Sequence, residues 1–175
     1  QLNAVRYYNT AYFIQTANID MGVSPWNEGE GWNPIGADPS SNNSAKPFSG
    51  TYNGNGFSIS NLTINKPGAS DAGLFGYAHN AKLSNITLID VNITASNTAG
   101  SLVAEASSCN IVNSKSSGYV KTTNGVCGGL AGWVYGSTIS KSTSTVNVDC
   151  GSSTAGGLIG YQNGNTTVTE RWSSG

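Results

Sequence analysis

The sequence predicts an all-β fold, a β-solenoid of about 28 residues per turn with a small mixed N-terminal cap. Three observations carry that prediction. The first is a repeat. Ala72-Gly-Leu-Phe-Gly76, Gly100-Ser-Leu-Val-Ala104, Gly128-Gly-Leu-Ala-Gly132 and Gly156-Gly-Leu-Ile-Gly160 place Leu74, Leu102, Leu130 and Leu158 at intervals of 28 residues. Nine residues after each leucine comes Leu83, then Ile111, then Ile139, and the fourth block slips to Thr167 and Val168. The second is alternation of apolar and polar residues, as in Ile86-Thr-Leu88, Val91-Asn-Ile93 and Val146-Asn-Val148, the signal of half-buried strands. The third is composition. Of 175 residues only 10% are charged, 61 are Ser, Thr or Asn, and 23 are Gly. Such a chain is poor material for a helical bundle. A net charge of −1 excludes an electrostatic nucleic-acid binder. No apolar run approaches the ~20 residues of a membrane-spanning helix.

A repeat of this length fits stacked coils, because one coil cannot bury its apolar face alone. Leu74, Leu102, Leu130 and Leu158, with Leu83, Ile111 and Ile139, are then interior ladders, repeating about every 4.8 Å. The glycines before Leu74, Leu130 and Leu158 mark tight turns or close backbone approach. The first 45 residues carry no 28-residue pattern and read as a cap and loop region, with a short helix over Gln1–Tyr8, a strand over Tyr12–Thr16 and a loop over Gly22–Ser44. Solenoid repeats fill residues 46–175. Ile59-Ser-Asn-Leu-Thr-Ile64 matches Leu83-Ser-Asn-Ile-Thr-Leu88 at an offset of 24 residues and reads as a shorter coil in that alignment. The last repeat stops at Trp172-Ser-Ser-Gly175 without a capping element, so either the chain continues or the open end meets a partner.

Gly-Gly-Leu-x-Gly followed by Ile-Ser-x-Ser resembles the GLUG repeat of bacterial surface proteins. Gln1–Arg6, Tyr12–Asp20, Trp32-Asn-Pro-Ile-Gly36 and Phe48–Gly56 resemble the block that often precedes such repeats. The resemblance covers nearly the whole chain and departs from the pattern at Ser101 and Ala104. It implies a solenoid in an adhesin or other large secreted protein, in which the repeat is not the catalytic part.

Candidate sites are sparse. The single histidine, His79, reads as a turn residue after the first repeat block, with no nucleophile or orienting carboxylate at a triad spacing. Glu28 and Glu30, near Asp20 and Asp38, read as a solvated acidic loop. In the coils Asp90, Glu105 and Asp149 occupy unlike repeat positions. No calcium loop or zinc spacing is present, so no catalytic residue, cofactor or metal is expected. Three residues after the ladder leucines stand Tyr77, Glu105, Trp133 and Tyr161, one column that could contact a glycan, with Trp26 and Trp32 extending it from the cap. Alternatively these aromatics pack on one another. A count of 28 also puts Thr94, Thr122 and Cys150 in one column, too broken for an ice-binding threonine array. Cys127 and Cys150 fall in the same connecting region of adjacent coils and are expected to pair, leaving Cys109 buried or linked to another chain. Asn42, Asn61, Asn85, Asn92 and Asn165 are N-glycosylation sequons. These features predict a non-catalytic extracellular structural or adhesive rod within a larger microbial surface protein. The alternatives are a carbohydrate-binding or carbohydrate-active module and a self-assembling filament or surface-layer subunit. Partners would be a glycan, a neighbouring surface or another copy through the open end; no nucleic acid and no membrane span are expected.

Overall fold

The structure, a computed structural model, describes residues 2–39, 46–68, 70–170 and 172–173. It is a parallel β-solenoid. One coil runs through four strands, Asp71–Ala72, Phe75–His79, Lys82–Ser84 and Thr87–Ala95. The same four positions recur at Thr98–Gly100, Val103–Ser107, Asn110–Val112 and Lys115–Thr122. They recur again at Cys127–Gly128, Ala131–Tyr135, Thr138–Ser140 and Thr143–Asp149. Each strand bonds in parallel to its counterparts in the coils on either side, which makes four sheets around one core.

The predicted ladders form. Leu74, Leu102 and Leu130 are fully buried, and Leu158 in the last coil nearly so. Leu102 N donates to Leu130 O and Leu130 N to Leu158 O, both at 2.9 Å. Leu83, Ile111 and Ile139 stack in register, with Tyr52 below and Val168 above. The slip in the last repeat therefore resolves in favour of Val168, the apolar choice.

Glycine is required where coils touch through backbone. A Cβ on Gly128 would lie 2.1 Å from Ala131 O and 2.5 Å from Gly160 N, separations no side chain can occupy. At the departing position Ser101, the hydroxyl turns inward and donates to Gly129 O at 2.5 Å.

Three expectations change. The 24-residue alignment of Ile59–Ile64 with Leu83–Leu88 is not the stacking. Ile59 pairs with Leu88, Ile64 with Ile93, and Tyr52 takes the place beside Leu83. The local match repeats a strand pattern, but burial of Tyr52, Ile59 and Ile64 together fixes the register. The Thr94–Thr122 column is also displaced. Thr94 lies opposite Lys121 and Thr122 opposite Ala95, because the strand Thr87–Ala95 carries one extra residue at a bulge. Asp90 there has φ +54°; such a bulge inserts a residue without disturbing the coils beyond. Finally, His79 is not in a loop: it ends the strand Phe75–His79.

The N-terminal region contributes to the same stack. Leu2–Tyr7 is a 3-10 helix. Tyr12–Ile14 pairs with Thr51–Asn53, and Ile19–Asp20 with Ser58–Ser60. Within the long loop Trp32 and Ile35 are fully buried, and Ile35 N donates to Leu74 O at 3.0 Å. Phe48 bridges to Ala78. Leu74 and Phe75 thereby gain a covering layer where the regular repeat has not begun.

The core is not aliphatic throughout. Leu88 stacks on Ser116 and then Ser144, all buried. Ser116 Oγ donates to Gly129 O at 3.1 Å, so the buried hydroxyl is satisfied by backbone.

Candidate functional site

The outer face of the sheet containing Phe75–His79, Val103–Ser107, Ala131–Tyr135 and Ile159–Asn163 carries the main candidate site. Side chains alternate across a strand, so Val134 points into the core and its neighbours Trp133 and Tyr135 point out. Tyr77, Glu105, Trp133 and Tyr161 fall in one register column. A second column, two residues on, holds His79, Ser107, Tyr135 and Asn163.

The two halves of this face differ. At the C-terminal half Trp133, Tyr135 and Tyr161 are 40%, 53% and 41% exposed. Trp133 and Tyr161 meet edge to face, with centroids 5.0 Å apart and planes at 68°. The aromatics therefore do both things considered for them: they pack on each other and still present ring surface to solvent. Trp32 does not extend this surface. It is wholly buried, its indole Nε1 donates to Leu74 O at 3.1 Å, Trp26 packs against it at 5.4 Å, and the Arg6 guanidinium sits 4.8 Å above its ring. An apolar first coil needed a large side chain, and Trp32 supplies it.

At the N-terminal half the face turns acidic. Glu105 bends toward the preceding corner, where Thr98 Oγ1 donates to its Oε1 at 3.3 Å. It also hydrogen-bonds the Asp71 carboxyl, and the Asp38 charge acts on both. Burial, then repulsion from Glu105 and Asp38, pushes Asp71 up to about 7. Burial raises Glu105 as well. The pair shares a proton near neutrality, as close carboxyls do. Sequence spacing missed this cluster because Asp71 and Glu105 occupy different strands of adjacent coils and Asp38 lies in the long loop. The only available signal was that Asp71 falls opposite Thr98, seven residues before Glu105. An open cleft of about 470 Å³ adjoins Asp71 and includes Arg6, Lys46 and Lys66. Among the described residues, no group of three or more His, Cys, Asp or Glu side chains is disposed to hold a metal ion.

The remaining acids are dispersed. Glu30 forms an ion pair with Lys66 at 3.5 Å, and Glu28 is exposed. Asp20 Oδ1 accepts from Gly22 N and Asn61 Nδ2, both at 2.8 Å, which holds its carboxyl below the usual range. Asp149 accepts from Lys121 Nζ at 2.9 Å and Tyr119 Oη at 3.1 Å.

Cys127 and Cys150 are joined in a disulfide, Cα atoms 5.7 Å apart. Cys109 is a buried free thiol, raised by burial to about 11. Two corners went unread in the sequence. Asn80, Ser108, Gly136 and Gly164 all have positive φ at one corner, and Asn85, Asn113, Lys141 and Glu170 at the next. Asparagine tolerates that conformation best among non-glycine residues, and here it adds a side-chain ladder. Asn85 Nδ2 donates to Asn53 Oδ1 at 2.9 Å, and Asn113 Nδ2 to Asn85 Oδ1 at 2.7 Å. Of the sequons, Asn42 lies outside the described residues. Asn61 and Asn85 are engaged as above, whereas Asn92 and Asn165 are exposed.

Fold and site together define a parallel β-solenoid with one aromatic outer face. No family model matches the chain, so the GLUG likeness rests on the quoted motifs. The chain is 37% identical over 144 residues, 79% of its length, to the protein named Halomucin from Haloquadratum walsbyi. That match covers 2% of halomucin, so the chain spans a very small fraction of this relative. No helix of the described residues is long and apolar enough to cross a membrane.

Proposed function

We propose that the chain is a non-catalytic, extracellular rod segment of a much larger, mucin-like surface or secreted protein. The observation that carries this reading is the unbroken in-register stacking of strands from coil to coil on four sides. Bending such a stack requires stretching parallel backbone hydrogen bonds on one face against a packed core. The similarity to a small part of a protein named as a mucin supports a segment role within a long chain. A rod made of repeats lengthens by adding them. Inserting four further copies of residues 99–126, one full period, therefore adds about 19 Å to the longest dimension, at about 4.8 Å per coil. Small-angle scattering measures that increment. A folded insertion variant that gains width instead of length, or behaves as beads on a string, refutes the reading. Antibody labelling of intact source cells tests the extracellular placement.

A second reading is favoured by the exposure of Trp133, Tyr135 and Tyr161 on one face. Exposed aromatic clusters mark interaction sites, and rings flanked by neutral Ser107 and Asn163 suit sugar faces and hydroxyls. In this reading the rod also contacts a neutral glycan there. A glycan array comparing the parent with Trp133→Ala decides it: binding lost in the variant supports it, while equal binding or none by either removes it.

A further inference from the structure

We propose that Asn92 and Asn165 are N-glycan attachment sites and that Asn61 and Asn85 are not. The four described sequons are equivalent in sequence, and the fold separates them. Asn92 lies within Thr87–Ala95 on the outer face of the long sheet, exposed, and its amide makes no hydrogen bond among the described residues. Thr94, the second sequon residue, is two positions on and so projects from the same face. Its flanking partners are Thr63 and Tyr119, with Asn147 one coil further, so no charge and no bulky cover stands over the amide. Asn165 is exposed in the turn after Ile159–Asn163, and Thr167 of its sequon is exposed at the start of the next strand.

The other two amides are structural. Asn61 sits at φ +59° with its Nδ2 donating to Asp20 at 2.8 Å. Asn85 sits at φ +54° and occupies the middle of the ladder between Asn53 and Asn113. Attachment forms a bond from the asparagine Nδ2 to the anomeric carbon of a lipid-linked oligosaccharide phosphate. The carbon–oxygen bond to phosphate breaks, the amide loses one proton, and the lipid phosphate departs. At Asn85 the incoming sugar must displace Asn53 from the nitrogen it attacks, and at Asn61 it must displace Asp20. At Asn92 and Asn165 nothing is displaced.

The two sites also answer a physical need of this rod. With 10% charged residues and net charge −1, electrostatic repulsion between copies is weak, and near-neutral proteins tend to associate. Glycans on two separate faces keep neighbouring rods solvated and apart. The inference rests on the extracellular reading above, since attachment occurs on exported chains.

The test is secretion of the full chain from an N-glycosylating host, recovery of the folded protein, and glycopeptide mapping. Asn92 and Asn165 are expected to carry glycan and Asn61 and Asn85 to be bare. Asn92→Gln and Asn165→Gln each remove one glycan's mass. The double variant folds as the parent does and scatters light from association at several-fold lower protein concentration. Folded protein bare at both Asn92 and Asn165, or occupied equally at Asn61 or Asn85, overturns the assignment. The rod reading is judged separately by the coil-insertion measurement, so a bare chain that still lengthens by one coil per insertion sinks the glycan sites alone.

Discussion

Leu130→Ala removes three carbons from the centre of the leucine ladder. Leu130 is 0% exposed and lies between Leu102 and Leu158, to both of which its backbone is bonded at 2.9 Å. The transfer loss is about 2.4 kcal/mol, at about 0.8 kcal/mol per methylene. Collapse cannot heal the gap. Coil spacing is held by the backbone ladders, and the Gly128 and Gly132 backbones already press against neighbouring coils. A cavity contribution therefore adds to the transfer loss, giving a total of about 3–4 kcal/mol, within the range for buried leucines. Leu158→Ala, in the last coil and 6% exposed, should cost about 2 kcal/mol because its lining is less confined. Urea unfolding followed by far-UV circular dichroism gives both values. If Leu130→Ala shifts the midpoint no more than Leu158→Ala does, the claim that rigid coil spacing prevents collapse is wrong.

Three other outcomes follow from the geometry. Asp71 titrates near 7 when folded, above its unfolded value, so its contribution is complete at low pH and fades as pH rises through neutrality; Glu105 shifts in the same direction. Asp71→Asn should therefore flatten the loss of melting temperature between about pH 5 and pH 8, and an unchanged slope contradicts the shared-proton pair. Reducing the Cys127–Cys150 bond, which closes a span of 23 residues, should cost roughly 3 kcal/mol; under non-reducing conditions only Cys109 should be alkylated, and only after unfolding. Asn113→Ala breaks one rung of the corner ladder and vacates a left-handed backbone position, so a loss of about 1–2 kcal/mol is expected in thermal or urea melts.

Much of the architecture was legible because a stacked fold writes its geometry into spacing. Leu74, Leu102, Leu130 and Leu158 are 28 residues apart because each coil has one perimeter, and the same interval put Tyr77, Glu105, Trp133 and Tyr161 in one column. Where the perimeter changes, counting fails. The extra residue in Thr87–Ala95 moved Thr94 off the Thr122 column. The short coil around Tyr52 and Ile59 follows no 28-residue rule, so a six-residue likeness there suggested the wrong register.

The amino-acid sequence by itself determined the repeat, its period, the ladder leucines and the low-charge surface, since each is a one-dimensional pattern that every coil repeats. Only the tertiary structure decided which non-repeating residues meet. Trp32 and Ile35 cover the first regular coil, Asp38, Asp71 and Glu105 share one corner, and Asn85 is locked in a ladder while Asn92 stands free. Those meetings depend on how a long irregular loop and the corners fold back onto the stack, and on the dense packing and backbone bonding that hold them there. No spacing rule encodes that.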